Sequence, residues 1–290
     1  MIVNLTMRNI RIFFRDPSAI FFSLLASIIL FVLYTAFLST LQVDNMAEQV
    51  PTAESSDIDG FVNSWVLANI AMITTMTTSL SALAVFVNDR ATNSFRDFLV
   101  SPASRFDMIS GYLLGAFVIS TGLSLVVLSF CQVYLGVVDD AWLSAVNFVR
   151  AFGYMVGFCL LFSSIWSFVV TFVRSHVVFM SLGTIIGTAG GFLAAAYVTV
   201  GQLPSAVVTF MNVLPINQAA TLMRVPFTER TVEAVSDGNE DVIEAIYEEY
   251  GMYPFVAQTE VSEPTIWLLF AGLTALFLFL GTSRIGRRMG

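Results

Sequence analysis

Long apolar runs, separated by short polar or charged stretches, dominate the chain. A helix needs about 20 apolar residues to cross a hydrocarbon core, and six runs meet that length or approach it: Ser18–Leu41, Phe61–Val87, Pro102–Leu135, Phe148–Val173, Val177–Val200 and Thr265–Ser283. The first sixteen residues, MIVNLTMRNIRIFFRD, follow another pattern. Asn4, Arg8, Arg11 and Arg15 recur at helical spacing while Ile2, Val3, Leu5, Ile10, Phe13 and Phe14 fill the other faces. That predicts an amphipathic helix lying in the membrane interface with its basic side toward the headgroups. Asp16-Pro17 then reads as an N-cap followed by proline at the first helical position. After the first run comes an acidic loop containing Asp44, Glu48, Glu54, Asp57 and Asp59.

Residues 201–264 are different again. Pro204–Phe227 is apolar but interrupted by Pro204, Pro215 and Pro226, so its pieces are too short to cross and read as re-entrant or interfacial helices. Glu229–Glu263 holds ten acids and one arginine, which predicts a small solvated cap. The expected organisation is therefore an interfacial helix at 1–16, five spans within 17–200, the re-entrant and acidic region at 201–264, and a sixth span with a basic tail at 265–290.

Composition agrees with an all-α polytopic membrane protein. Of 290 residues, 57% are hydrophobic and only 12% charged, with mean hydropathy +0.80; a soluble domain carries about 25% charged residues. The net charge of −8 hides a sorting by side. The amino-terminal helix, the 88–105 stretch, the 174–176 turn and the tail together hold ten of the thirteen arginines, whereas the other side holds Arg150, Arg224 and Arg230 and seventeen of the 21 acids. By the positive-inside rule both termini are expected in the cytoplasm of a multi-pass cell-membrane protein. Arg150 reads as snorkelling at the outer end of the fourth span. No cleavable signal peptide is expected at the start, because the first run is too long and lacks an obvious cleavage site.

There is no lysine. A Walker A loop needs one on the phosphates, so the chain is not itself a conventional P-loop ATPase, and Schiff-base chemistry is excluded as well. Cys131 and Cys159 lie inside apolar runs and read as buried small hydrophobes. The single histidine, His176, has no partner for a metal or a nucleophile, and no catalytic motif is present. No catalytic, cofactor-binding or metal site is expected, and no nucleic-acid partner.

The stretch NDRATNSFRDFLVSPASRFDM, residues 88–108, stands between two long runs. Phe95, Phe98 and Leu99 fall at i, i+3 and i+4, with Arg90, Asn93, Arg96 and Asp97 on other faces, and Ser101-Pro102 begins the next helix. This is a short amphipathic helix. It either floats on the headgroups or sits on a ledge below the membrane, since the flanking helices exceed the length a span requires.

Several elements resemble the ABC-2 type permeases, the membrane subunits of one class of ATP-binding-cassette exporters. They are Arg15-Asp16-Pro17 after a basic amphipathic helix, "RATNSFRDFLVSPASRFDMISGYLLG" after the second span, and "NVLPINQAATLMR" before the last. The order Asn88-Asp89-Arg90-Ala91-Thr92-Asn93 departs from that family's glutamate-rich start. The resemblance implies a dimer with a second copy or a paralogue, in lipid. It also implies a cytoplasmic ABC ATPase subunit that binds the ATP and magnesium and docks on a coupling helix at residues 88–100. Phe95, Phe98 and Leu99 would enter a groove of that subunit, with Arg90 and Arg96 at its rim.

Polar residues crowd the second span. Asn63, Asn69, Thr74, Thr78 and Ser81 are candidates for a translocation path, against the alternative of interhelical hydrogen bonding. Gly111/Gly115, Gly153/Gly157 and Gly183/Gly187 form Gly-x-x-x-Gly pairs; Gly183, Gly187, Gly190 and Gly191 are nominated for dimer packing. The spans carry almost no ionisable residues at mid-depth, which speaks against a proton relay. The expected function is export of an amphipathic drug, antibiotic, peptide or lipid, powered by a separate ATPase. The alternatives are polysaccharide or glycolipid export by the same architecture, an ion-coupled carrier or channel without an ATPase, and a non-transporting scaffold or immunity protein.

Overall fold

A computed structural model describes residues 2–92, 105–256 and 258–288. Helix α1 (Ile2–Phe14) is followed by α2 (Pro17–Leu33), a π-helical turn at Tyr34–Leu38, and α3 (Ser39–Gln49). Helices α4 (Ser55–Ser81) and α5 (Ala84–Ala91) come next, then α6 (Arg105–Val138), α7 (Ala145–Val169) and α8 (His176–Leu193). A 3-10 turn at Val200–Gln202 leads to α9 (Ser205–Met211), α10 (Pro215–Ser236) and α11 (Glu240–Glu249). The two-residue strands β1 (Phe255–Val256) and β2 (Thr259–Glu260) pair antiparallel, and α12 (Glu263–Arg288) closes the chain. Among the described residues, six stretches are long and apolar enough to cross a membrane: Pro17–Gln49, Ser55–Ala91, Asp107–Val138, Ala145–Val169, His176–Leu193 and Glu263–Gly281.

Local chemistry sets the starts. Asp16 accepts hydrogen bonds from the Ser18 and Ala19 amides, and Pro17 opens α2 where no amide is needed. These bonds, the Ser18 hydroxyl first among them, hold the Asp16 carboxyl below its ordinary range. Ser144 and Ser175 cap α7 and α8 in the same way, each hydroxyl accepting an amide of the first turn.

Three expected boundaries are corrected. Asp44 and Glu48 do not lie in a loop: the helix runs on through the π turn to Gln49, and the acids sit on α3. The fifth span stops at Leu193, not Val200, where Ala195 takes positive φ. Pro226 does not interrupt α10. It is a buried position within a continuous 22-residue helix, a placement that lipid-embedded helices tolerate when neighbours satisfy the freed carbonyl.

Helix α4 is the centre of the bundle, buried along almost its whole length against α2, α6, α7 and α10. Lipid tails are as apolar as leucine, so helix association here rests on close packing and interhelical bonds. Both are visible on α4. Trp65 Nε1 donates to Tyr250 O at 3.1 Å, and Phe61 and Trp65 meet the Tyr250 ring edge-to-face at 4.9 and 5.4 Å. Near the other end, Trp166 Nε1 donates to Met76 O at 3.0 Å and the Ser27 and Thr74 hydroxyls share a 2.7 Å bond.

Helix α1 and the last turns of α12 lie at one end of the bundle. The Arg284 guanidinium covers the Phe172 ring at 3.6 Å, and Arg90 reaches the adjacent carbonyls of Thr171 and Val173. Helix α1 joins the same end through Asp89. The far end carries the α3–α4 and α6–α7 connections, the α9–α10 elbow, bent by 90°, and the α11–hairpin cap.

Candidate functional site

At the terminal end, the last turn of α5 is clamped to its surroundings just before residue 93. Asp89 accepts both Arg8 Nη1 and Nη2 at 2.8 and 2.9 Å, and the Tyr112 hydroxyl donates to the same carboxylate at 2.5 Å. The Asp89 side chain is 7% exposed and that of Arg8 35%. The hydrogen bond to Asp89 holds the Arg8 guanidinium still more firmly protonated than usual. One residue later, Arg90 Nη1 donates to Thr171 O at 2.9 Å and Val173 O at 3.1 Å, in the turn between α7 and α8. Two consecutive residues thus tie α5 to α1, α6 and the α7–α8 turn.

The glycines explain how α1 comes close enough. A Cβ on Gly111 would overlap the Leu5 side chain, and one on Gly115 would press on Asn9. Thr6 Oγ1 and Asn9 Nδ2 both donate to Gly111 O, at 3.2 and 3.4 Å. Although amphipathic, α1 is therefore docked on α6 through its Leu5, Asn9 and Phe13 face as well as being suited to an interface.

Of the coupling residues expected from sequence, Arg90 sits on α5 and is engaged within the chain, not presented at an outer rim. Phe95, Arg96, Phe98 and Leu99 lie outside the described residues. The polar residues of the second span all lie on α4. Asn63 Nδ2 donates to both oxygens of Asp139 (2.9 and 3.1 Å), Asn69 Nδ2 to Trp65 O, and the Thr74 and Thr78 hydroxyls to carbonyls four residues back. Ser81 is half-buried at the end of the helix. Burial pushes the Asp139 carboxyl above its ordinary range, against the lowering effect of Asn63.

Three of the four nominated dimer glycines meet the chain's own side chains. Gly190 abuts Met76 of α4, Gly191 abuts Tyr197, and Gly187 approaches Ala26 of α2, while Gly183 borders open space. The face of α8 left exposed carries Val177, Met180, Ile185 and Phe192 instead. Gly157 of the second pair likewise receives the Trp267 ring of α12.

Two polar sites at the far end join residues distant in sequence. Arg150 Nη2 pairs with Glu263 Oε2 at 2.9 Å, and its Nε and Glu263 Oε1 both engage the Tyr154 hydroxyl. Arg224 is wholly buried. Its Nε donates to Asn69 Oδ1 at 3.2 Å, Nη1 to Gly251 O at 2.8 Å, and Nη2 to Ala194 O, with the guanidinium 5.5 Å over the Trp65 ring. No carboxylate balances it among these partners. The carbonyls following α8 carry the negative end of that helix's dipole, which is the compensation a cation finds there. An arginine in "INQAATLMR" was the available signal, but nothing nearby in sequence named its partners.

The geometry is that of a multi-span bundle whose second span ends in a mechanically anchored turn. A family model described as ABC-2 type transporter matches residues 2–227, from α1 into α10. Comparison with the curated proteins found no match. The match spans well over half of the chain and includes the clamp, the central helix and Arg224, so the chain belongs to the ABC-2 type transporter family as a membrane component of an ATP-binding-cassette transporter.

Proposed function

We propose that this chain is the membrane-embedded half of an exporter, moving an amphipathic substrate out of the cell with ATP hydrolysed by a separate cytoplasmic subunit. That subunit docks on residues 88–100, and both termini of the permease face the cytoplasm. A second copy or a paralogue completes the path.

The observation that carries this reading is the clamp at Asp89 and Arg90. A push delivered to residues 93–100 has to pass through the turn that immediately precedes them. There it meets a buried carboxylate held by α1 and α6, and an arginine held by the α7–α8 turn. Such bonds to charged groups are worth about 1.5–3 kcal/mol each when shielded, enough to move three elements together where a free loop would absorb the displacement. Arginine enrichment on that side supports its cytoplasmic placement, and the absence of lysine supports a motor on another polypeptide.

Purification of the chain in mild detergent from its native cell, with and without Phe95→Glu and Phe98→Glu, tests the proposal. An ATPase subunit is expected to accompany the wild type and to be lost from the double variant, together with efflux. Equal recovery of the ATPase with both proteins would place the docking surface elsewhere.

A further inference from the structure

The 90° elbow between α9 and α10 and the cap made by α11 and the hairpin border an open cavity of about 490 Å³ at the end of the bundle away from the termini. Pockets of that size hold drug-sized molecules. Its lining includes an aromatic pair, the Tyr247 and Tyr253 rings, which meet edge-to-face at 5.4 Å, and Phe255 lines the same cavity. Burial pushes both phenols up from their ordinary range, so the rings stay uncharged and keep their electron-rich faces.

The polar lining is neutral except for one acid. Glu248 contributes an exposed carboxylate, and among the described residues no lysine or arginine lines the cavity. Arg224 approaches through the Gly251 carbonyl, but its donors are taken by Asn69 and by backbone oxygens. Asn217, 3% exposed, gives its Nδ2 to Asn212 Oδ1 at 2.8 Å. Its own Oδ1 is buried with no hydrogen-bond partner among the described residues. A buried acceptor without a donor is unfavourable, and Asn217 belongs to the cavity wall.

We infer that this cavity binds an amphipathic organic cation, its apolar body against Tyr247, Tyr253 and Phe255 and its charge toward Glu248. The site deepens the exporter reading and rests on it for its role as a station on the outward path; binding itself does not require the motor. A cation held over tyrosine faces gains from the ring quadrupole, most where water is excluded. The surrounding segment is rich in acids, which would concentrate cations at the mouth.

The test uses the full chain in phosphatidylcholine nanodiscs without any ATPase. Ethidium, a planar cation bearing N–H groups, is titrated by fluorescence anisotropy, with anilinonaphthalenesulfonate as an anion of similar size. Saturable ethidium binding is expected, weakened about tenfold by Glu248→Gln and by Tyr253→Leu, with no saturable binding of the anion. Glu248 is exposed, so its variant is expected to melt as the wild type does. Ethidium affinity unchanged in both variants, or equal affinity for the anion, overturns the proposal. Loss of ATPase docking in Phe95→Glu/Phe98→Glu with ethidium binding intact leaves the cavity standing; ethidium binding lost while docking persists in the wild type leaves the coupling reading standing.

Discussion

Replacing Asp89 with asparagine probes the clamp with the least change in shape. The carboxylate accepts three bonds, two from Arg8 and one from Tyr112. Fully shielded, bonds to a charged group contribute about 1.5–3 kcal/mol each. Arg8 is about one-third exposed, so water and salt screen its share, and exposed pairs fall to about 0–1 kcal/mol. Between those limits, about 2 kcal/mol of the attachment of α1 to α5 and α6 is expected to disappear, which is roughly a 30-fold shift in a local opening equilibrium. A helix of thirteen residues is marginal on its own, so opening exposes its amides. Hydrogen exchange of the protein in nanodiscs should then show α1 protection falling about 30-fold in Asp89→Asn and by a similar factor in Arg8→Met, with less than additive loss in the double variant. Protection in α4 should not change. Exchange of α1 identical to wild type in both single variants would falsify the claim that this ion pair holds the helix in place.

Arg224→Met removes the donors from three groups, Asn69 Oδ1, Gly251 O and Ala194 O, inside a buried site; a loss of about 3 kcal/mol or more is expected, read as a large fall in melting temperature and in detergent-stable yield. Glu263→Gln breaks an ion pair whose partners are each 36% exposed, so its cost is expected below about 1 kcal/mol and its melting temperature close to wild type; a collapse comparable to Arg224→Met would mean that exposure is the wrong guide here. Asp139 carries a carboxyl raised by burial from its ordinary 3.8. The folded state therefore binds that proton more tightly than the unfolded one. The associated stability is fully present below about 3.8 and is lost as pH rises through the raised value. Asp139→Asn keeps an acceptor for Asn63 and should melt higher than wild type at neutral pH, the gap closing as pH falls; a gap independent of pH contradicts the assignment.

Much of the architecture was legible because the bilayer imposes it. Run length marks spans, and Asp16-Pro17 marks a helix start by local chemistry alone. What failed did so where distance in sequence matters. Arg8 and Asp89 are 81 residues apart, Arg150 and Glu263 113, and Arg224 and Asn69 155; periodicity cannot pair them. Lipid-facing and core-facing positions are equally apolar, so the pattern did not distinguish the buried α4 from the exposed face of α8. Nor did it say that Gly187 and Gly190 turn inward toward α2 and α4. The acids at Asp44 and Glu48 suggest a loop, yet an exposed helical end accommodates charge as readily as a loop does. The cavity between elbow and cap depends on α9, α10, α11 and the hairpin folding back together, which no local signal announces.

The central claim is that work enters this chain from another polypeptide through residues 88–100. Uptake of ethidium into inside-out proteoliposomes measures it directly, comparing the chain alone with the chain plus its co-purified ATPase and ATP. Concentrative uptake is expected only with the ATPase and ATP, and is expected to vanish when Phe95 and Phe98 are replaced by glutamate. Uphill accumulation by the chain alone, or accumulation undiminished in that double variant, would contradict the account.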